Sequence, residues 1–186
     1  VVAACFSLLK RYGTKTVQEV LATSIEYAER GIPNYEYMLA RLDAGDSISQ
    51  FNLFPPGGLD VFFENGNVPE PGTLLIQREL GGVFNKMSRA ADAAGDHRED
   101  AISAARNCFY KGEIADAIAS ASEGVGGILS KPDLEGYQEN YSSPVGTTYL
   151  GYGIHGHSTW TQGPVLQQAL NILEHFDLKA MGHNSI

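Results

Sequence analysis

The 186-residue chain is poor in cysteine, in basic residues and in long apolar runs. Its two cysteines, Cys5 and Cys108, lie in apolar, helix-like contexts, which favours buried reduced thiols over a disulfide. Thirteen basic residues against 22 acidic ones give a formal net charge of -9, which repels phosphate backbones and leaves no polybasic patch for anionic lipid. We therefore expect no nucleic-acid partner.

No apolar run approaches the length that a membrane-spanning helix needs, so we expect no membrane segment in this chain. The first residues, Val1–Ala4, include neither a methionine nor a basic region, so we do not interpret them as a signal peptide. We expect this start to lie within a longer polypeptide. The compartment stays open between periplasmic or secreted and cytoplasmic.

Hydrophobic residues make up 43% of the chain and charged residues 19%, which indicates a folded unit with a buried core. Apolar residues recur at three- and four-residue steps along most of the sequence, as in amphipathic helices. Thr16 and Glu19 form a capping-box pair, and Gly31 with Pro33 ends the helix that they begin. Other helices are predicted over Val1–Tyr12, Tyr35–Leu42, Leu80–Ala91, from a cap at Asp96 to Gly112, over Ile114–Ala121, from Ser130 and Asp133, from Pro164 to Phe176, and near the end of the chain.

Two stretches depart from the helical period. Prolines and glycines crowd residues 45–72, which we interpret as a long ordered loop around Val61–Phe63 that serves a site or an interface. Residues 145–150 and 153–157 are short β-like runs, and we predict a hairpin with its turn at Gly151-Tyr152. Because a lone hairpin is marginally stable, we expect it to join a sheet outside this chain. The fold class is thus mainly α with a small β-hairpin.

Few residues are candidates for a metal site or a phosphate-binding loop. His155 and His157 alternate on the predicted strand and would point the same way, but a zinc site needs a third ligand, so the lining of a sheet edge or interface is the preferred interpretation. The glycines at 124–127 lack the lysine of a P-loop. We expect no metal and no cofactor.

Paired acids also lack the features of a catalytic site. Glu113 and Asp116, like Glu135 and Glu139, have helical spacing that solvated helix faces explain. Serines and threonines have no recognisable base partner and no nucleophile elbow. The residues by themselves therefore assign no catalytic, substrate-binding or metal residue in this chain.

Several motifs, in order along the chain, resemble the γ-glutamyltransferase/cephalosporin acylase family. Each motif alone is weak, but their order and spacing over nearly the whole chain make the resemblance specific. The matching segments are Arg11-Tyr-Gly13, Gly31-Ile-Pro33, Phe54-Pro-Pro-Gly-Gly58, Pro69-Glu-Pro-Gly72 with Gln77, Phe109-Tyr-Lys-Gly112-Glu-Ile-Ala115, Asp133-Leu134 with Tyr137, and Gln162-Gly-Pro164 followed by Gln168-Ala-Leu-Asn-Ile-Leu-Glu174, Phe176-Asp-Leu178 and Gly182.

The resemblance implies the αββα N-terminal-nucleophile hydrolase fold and a self-cleaving precursor, with residues 1–186 as the helical portion of its large subunit. In this family a threonine at the new N-terminus of the small subunit attacks a γ-glutamyl amide and passes the acyl group to water or an amino acid. That threonine would lie beyond Ile186, so the segment itself would not be catalytic. The implied partners are the small subunit of the same precursor and a γ-glutamyl or acyl-amide substrate such as glutathione.

The segment Ser158–Pro164 differs from the proline- and serine-rich run of many γ-glutamyltransferases and is more similar to the acylase branch. An acylase-like amidohydrolase, of the cephalosporin or glutaryl acylase type, is therefore the alternative. Trp160 either packs at the start of the last long helix, which we prefer, or faces the substrate. A non-catalytic structural or binding module is the other alternative, together with an inactive relative that has kept the fold.

Overall fold

The structure is a computed structural model that describes residues 1–53 and 57–184. It divides into two compact units, residues 1–139 and residues 140–186. Among the described residues, no helix is long and apolar enough to cross a membrane.

Unit 1 is helical, as the apolar spacing predicts. A two-stranded antiparallel ribbon, β1 (Ile32–Pro33) with β2 (Leu74–Leu75), is an addition that the sequence patterns did not reveal, because two-residue strands carry no periodic signal. The helices are α1 (Val2–Tyr12), α2 (Val17–Arg30), α3 (Glu36–Leu42), α4 (Ser47–Leu53), α5 (Gly58–Phe62), α6 (Arg78–Ala93), α7 (Arg98–Lys111), α8 (Glu113–Gly124) and α9 (Lys131–Glu135).

The main core forms around α7, which packs against α1, α2, α6, α8 and α9. Ile102 and Ala105 on this helix are 1% and 0% exposed, and Ala91 on α6 is equally buried. Short side chains at these positions let the helix backbones approach, and Val17 and Phe6 fill the space beside them. A second, smaller cluster is centred on Leu39, Leu42 and Phe63.

The start of α2 confirms the predicted capping box. The Thr16 hydroxyl accepts a hydrogen bond from the Glu19 amide at 3.2 Å, and the Glu19 carboxylate accepts one from the Thr16 amide at 2.8 Å. Lys15 donates to the same carboxylate, and this hydrogen bond is the main reason why the pKa of Glu19 is lowered. Two of the free N–H groups at the helix start are thus satisfied locally.

Residues 45–72 are more regular than the sequence suggested. The prediction of a long loop is wrong for this stretch, since α4 and α5 occupy much of its described part. Each helix is only about two turns or less, and Phe51 of α4 contacts both Phe62 and Phe63 with ring centroids 5.4 and 5.5 Å apart. Tertiary aromatic contacts therefore stabilise helices too short to show a period.

Two local predictions in unit 1 are also wrong. Asp96 does not cap α7, because the helix begins one residue later with His97 as its N-cap, and the His97 ring nitrogen Nδ1 lies 3.0 Å from Asp100. Cys5 is exposed rather than buried, since Ala3 and Phe6 define the buried face of α1 and Cys5 lies off that face. Both cysteines are free thiols, as predicted, but Cys108 is only half-buried.

Unit 2 combines a β-hairpin with a helix. The strands β3 (Val145–Tyr149) and β4 (Tyr152–Gly156) pair antiparallel, which confirms the hairpin. Its turn is Leu150-Gly151, one residue earlier than predicted, because both residues adopt the positive φ that a tight hairpin turn requires. The helices are α10 (Gly163–Leu173) and the short α11 (Leu178–Met181).

The helix α10 packs on the hairpin through polar anchors. The Gln167 amide donates to the Val145 carbonyl at 2.9 Å, and the side chains of Thr147 and Asn171 are 2.8 Å apart. Glu174, just after the helix, accepts from the Leu150 amide at 2.7 Å. Pro164 is the second residue of α10 rather than the first, where its missing N–H is still harmless.

Arg98 joins three elements of unit 1 at one guanidinium. Its Nη2 donates to the carbonyls of Leu9 and Gly13, and its Nε donates to the Lys15 carbonyl at 3.3 Å. These carbonyls lie at the end of α1 and in the turn that leads into α2. A cation here gives these carbonyls a charged donor and lies at the negative end of the helix dipole.

We therefore predict that Arg98→Ala lowers the free energy of unfolding by about 2 kcal/mol, the usual loss for hydrogen bonds to a charged group. Urea unfolding followed by circular dichroism measures this. Arg89→Ala, which removes an exposed arginine of α6, is the matched control and should change stability little. Equal effects of the two substitutions would contradict the role of Arg98.

Candidate functional site

Several of the segments that carry the family resemblance contact other parts of the same unit. We call each of these contacts between two segments a joint. The first joint brings Gly31-Ile-Pro33 against the segment from Pro69 to Gln77 through the β1–β2 pair. Hydrogen bonds extend the ribbon at both ends: the Gly72 amide donates to the Asn34 carbonyl at 2.9 Å, and the Gln77 amide donates to the Ala28 carbonyl at 2.8 Å. Residues 54–56 of the Phe54–Gly58 motif lie outside the described residues.

Gly31 is required at this joint by geometry. Its φ is +92°, a conformation that side chains disfavour, and an added Cβ would lie 2.8 Å from the Ile76 side chain and 3.0 Å from that of Leu74. The close approach of the two segments therefore depends on the missing side chain.

Asn34 is the buried polar group of the joint, with 5% of its surface exposed. Its side-chain amide donates to the Thr73 hydroxyl at 3.0 Å, and that hydroxyl donates to the Glu70 carbonyl at 2.7 Å. The chain of hydrogen bonds fixes the proline-rich turn relative to β1.

An open groove of about 380 Å³ lies beside this joint. Its walls come from residues 60–64 and 73–76, together with Asn34 and Pro69. Val61, Leu74 and Ile76 expose apolar surface in or beside it. Because these apolar side chains alternate with polar ones such as Asp60 and Glu64, this groove is one candidate binding surface of unit 1.

The second joint brings together the motifs around Tyr110 and Tyr137. Their rings stack with centroids 5.6 Å apart and planes 11° from parallel, and the Arg106 guanidinium lies 5.0 Å from the Tyr110 ring centre. The Tyr110 hydroxyl accepts from the Ala3 amide of α1 at 3.2 Å. Nearby, the Asp133 carboxylate accepts from the Ser130 hydroxyl at 2.5 Å and from the Ser130 amide at 2.9 Å at the start of α9. The hydroxyl is the main cause of the lowered pKa of Asp133, and the amide adds to it.

The third joint lies in unit 2, at Gln162-Gly-Pro164. A Cβ on Gly163 would lie 2.3 Å from the carbonyl oxygen of His157, so only glycine permits this crossing of β4 and α10. An added Cβ on Gly156 would in turn meet the Gly163 backbone at 3.3 Å. The motif thus sets how closely the helix approaches the hairpin.

The two histidines near this joint have different surroundings. The exposed His155 ring lies over the cross-strand Gly146, close enough that an added Cβ there would be 3.0 Å from Nδ1. The His157 ring, just beyond the end of β4, lies 5.1 Å from the ring of Trp160, which is 72% exposed. Across residues 1–53 and 57–184, no three histidine, cysteine or acidic side chains are close enough together to hold a metal ion.

Most paired acids of unit 1 form exposed ion pairs. Glu113 pairs with Lys86 at 3.0 Å and Asp116 with Lys131 at 2.7 Å, as expected for solvated faces. Burial is the main cause of the raised pKa of the nearby Cys108 thiol, and the Glu113 charge adds to it, so this thiol is a poor nucleophile.

Glu139 is the exception, and the sequence reasoning missed it. Its side chain is 21% exposed and lies 3.2 Å from the Arg106 guanidinium, while the Ser7 hydroxyl donates to it at 2.5 Å. The Ser7 hydrogen bond is the main cause of its lowered pKa. A carboxylate with a lowered pKa is a weak base, so this pair is suited to holding structure rather than to activating a serine.

The whole chain, residues 1–186, matches the model of the gamma-glutamyltranspeptidase family, and the chain belongs to this family. It is 30% identical over 174 residues to the glutathione hydrolase proenzyme of Bacillus subtilis strain 168, covering 91% of this chain and 26% of that protein.

Solved structures agree with this assignment. The gamma-glutamyltranspeptidase of Helicobacter pylori superposes with a TM-score of 0.82 at 27% identity, over 99% of this chain and 48% of that one. The cephalosporin acylase of Bacillus halodurans gives a TM-score of 0.77 at 26% identity, over 96% and 31%. The expected fold class, a mainly helical part of an N-terminal-nucleophile hydrolase with a small hairpin, is thereby confirmed. The chain spans about a quarter to a third of the length of the curated relatives it matches.

The close packing around Gly31 leads to a prediction about stability. Gly31→Ala should lower the free energy of unfolding of unit 1 by about 1–3 kcal/mol, because the new methyl group meets Ile76 and the backbone is strained. Gly82→Ala, an added methyl group in open space on α6, should stabilise by roughly 0.5–1 kcal/mol. Urea unfolding of both variants tests the pair, and a neutral Gly31→Ala would contradict the joint.

Proposed function

We propose that this chain is the helical portion of the large subunit of a γ-glutamyltransferase-like enzyme. The whole enzyme cleaves γ-glutamyl amides such as glutathione and transfers the acyl group to water or to an amino acid. The observation that carries the proposal is the family match over the full 186 residues, together with a close superposition on a gamma-glutamyltranspeptidase.

The nucleophile belongs, in this proposal, to polypeptide outside residues 1–186. Within the described residues, Cys108 and Glu139 have pKa shifts that make them less reactive. A threonine at a newly formed N-terminus would use its own α-amine as the base. Several relatives are named proenzymes, which supports maturation of a precursor and a small subunit as the partner of this segment.

The hairpin of unit 2 is proposed to join a sheet formed by other polypeptide. Within unit 2, α10 packs against the two strands, and β3 and β4 pair only with each other among the described residues. A two-stranded sheet is marginal by itself, and unit 2 also exposes Leu166, Ile172 and Phe176. Residues 140–186 therefore have the surface of a segment that gains its stability by assembly.

An acylase-like amidohydrolase is the second candidate. The chain is 27% identical over 180 residues to the acylase ACY 1 proenzyme of Pseudomonas sp. strain SE83, and the cephalosporin acylase superposes nearly as well as the gamma-glutamyltranspeptidase. The segment Ser158–Pro164 also favours this branch. Substrate choice would then depend on residues that bind the acyl group outside this chain.

The test begins with the product of the complete gene, analysed by denaturing gel and intact mass. We expect two fragments, the smaller beginning with threonine. The matured protein is then assayed with a γ-glutamyl anilide and a glutaryl anilide, and release of the amine is measured. Hydrolysis of the γ-glutamyl substrate supports the first proposal, and hydrolysis of the glutaryl substrate alone supports the acylase. A product no larger than this chain, or one without either activity, would overturn the enzymatic role.

A further inference from the structure

The last residues of unit 1 form a short segment without helix or strand, Gly136–Glu139, which we call the strap. It follows α9 and is followed directly by Asn140, the first residue of unit 2. Connecting segments without secondary structure are usually more mobile than the elements they connect. This one has a dense set of side-chain contacts to α1 and α7, none of which the proposed catalysis uses.

The strap is held at its end by the Glu139 carboxylate. Ser7 of α1 donates a hydrogen bond of 2.5 Å to Oε1, and Arg106 of α7 lies 3.2 Å from Oε2. The two oxygens of one carboxylate thus bind two different helices. The side chains of Arg106 and Glu139 are only 15% and 21% exposed, so this ion pair is better shielded from solvent than exposed pairs such as Lys86–Glu113.

Tyr137 holds the middle of the strap. Its carbonyl accepts from the same Arg106 nitrogen at 2.8 Å, and its ring stacks on Tyr110. Tyr110 is 6% exposed and is tied to the start of α1 by the Ala3 amide. Arg106 is therefore the common partner of the middle and the end of the strap, and its position depends on the charge that it neutralises.

Arg106 is the charged side chain whose attraction contributes to the lowered pKa of Glu139. On α1, Lys10 is bound to Ser103 at 3.0 Å and lies 3.9 Å from Glu99 of α7. On α9, Glu135 lies 3.8 Å from Lys131 of its own helix. If Glu139 becomes neutral, the Arg106 guanidinium stays in a largely buried place without a counter-charge, which is costly.

We propose that the strap is a releasable tether: the Glu139 carboxylate holds residues 136–139 on the α1–α7 pair, and neutralising this carboxylate detaches the strap as a unit while the helical core stays folded. The strap is thus a conformational device that sets how firmly the chain is held where it leaves unit 1.

The direction of the pH dependence follows from the contacts. Because the pKa of Glu139 is lowered in the folded protein, mainly by the Ser7 hydroxyl, its contribution is fully present above the ordinary pKa of a glutamate. It is lost as the pH falls through the lowered, folded-state pKa. Removing the Ser7 hydroxyl should raise that pKa and move the release to higher pH.

The experiment compares Glu139→Gln with Glu135→Gln in the protein expressed from the complete gene. Glu135→Gln removes a neighbouring exposed acid of α9 and is the matched control. Amide hydrogen exchange at pH 7, read by mass spectrometry on peptides that cover residues 136–144, reports the strap. We expect exchange about tenfold or more faster in Glu139→Gln, unchanged exchange in Glu135→Gln, and unchanged exchange in α6 and α7 in both.

Ser7→Ala provides a second, milder variant that keeps the ion pair. Its strap should exchange as in the parent protein at pH 7 and should be released at a higher pH than in the parent as the solution is acidified. Exchange in Glu139→Gln equal to that of the parent would overturn the proposal. So would loss of protection in the whole of unit 1 at the same rate as in the strap, because release would then be global unfolding.

Discussion

The packing of α7 against its neighbours is the interaction on which unit 1 depends. Ile102 and Ala105 on this helix are almost fully buried, and they contact elements from the start, the middle and the end of the unit. The small side chains at Ala91 and Ala105 allow helix backbones to approach closely. The core is therefore filled by many contacts between closely packed helices rather than by one large side chain. The polar features of the fold are arranged around this core: Arg98 at one end of α7 binds the end of α1, and Arg106 near the other end binds the strap.

Much of this fold was predictable from the sequence because long helices have a period and their ends have characteristic chemistry. Thr16 with Glu19, and Gly31 with Pro33, mark the ends of α2 almost to the residue. The hairpin was predictable from its β-branched and aromatic residues, although its turn shifted by one position to place Leu150 and Gly151 at positive φ. Features that depend on distant partners were missed. The short helices α4 and α5 form through the contacts of Phe51 with Phe62 and Phe63, which no local pattern contains.

The distinction between local sequence signals and contacts with distant residues also applies to the candidate site. The sequence motifs indicated the family, but they gave no reason for their own residue types. In the structure, Gly31 and Gly163 lie where backbones approach too closely for a side chain, and Tyr110 stacks directly on Tyr137. In the structure, these glycines and tyrosines therefore act as joints between elements. Glu139 was wrongly interpreted as a solvated acid because its partners, Ser7 and Arg106, are 132 and 33 residues away in sequence.

The two units differ in how far they account for their own stability. Unit 1 has two buried hydrophobic clusters among its described residues. Unit 2 carries only three formal charges, those of Glu174, Asp177 and Lys179, and it exposes apolar residues along α10 and α11. A surface with so little charge is costly to leave in water, whereas the inside of a layered hydrolase would bury it. This difference fits the proposed role, in which unit 1 would be a helical cover and unit 2 would supply strands and an apolar helix for assembly with the rest of the enzyme.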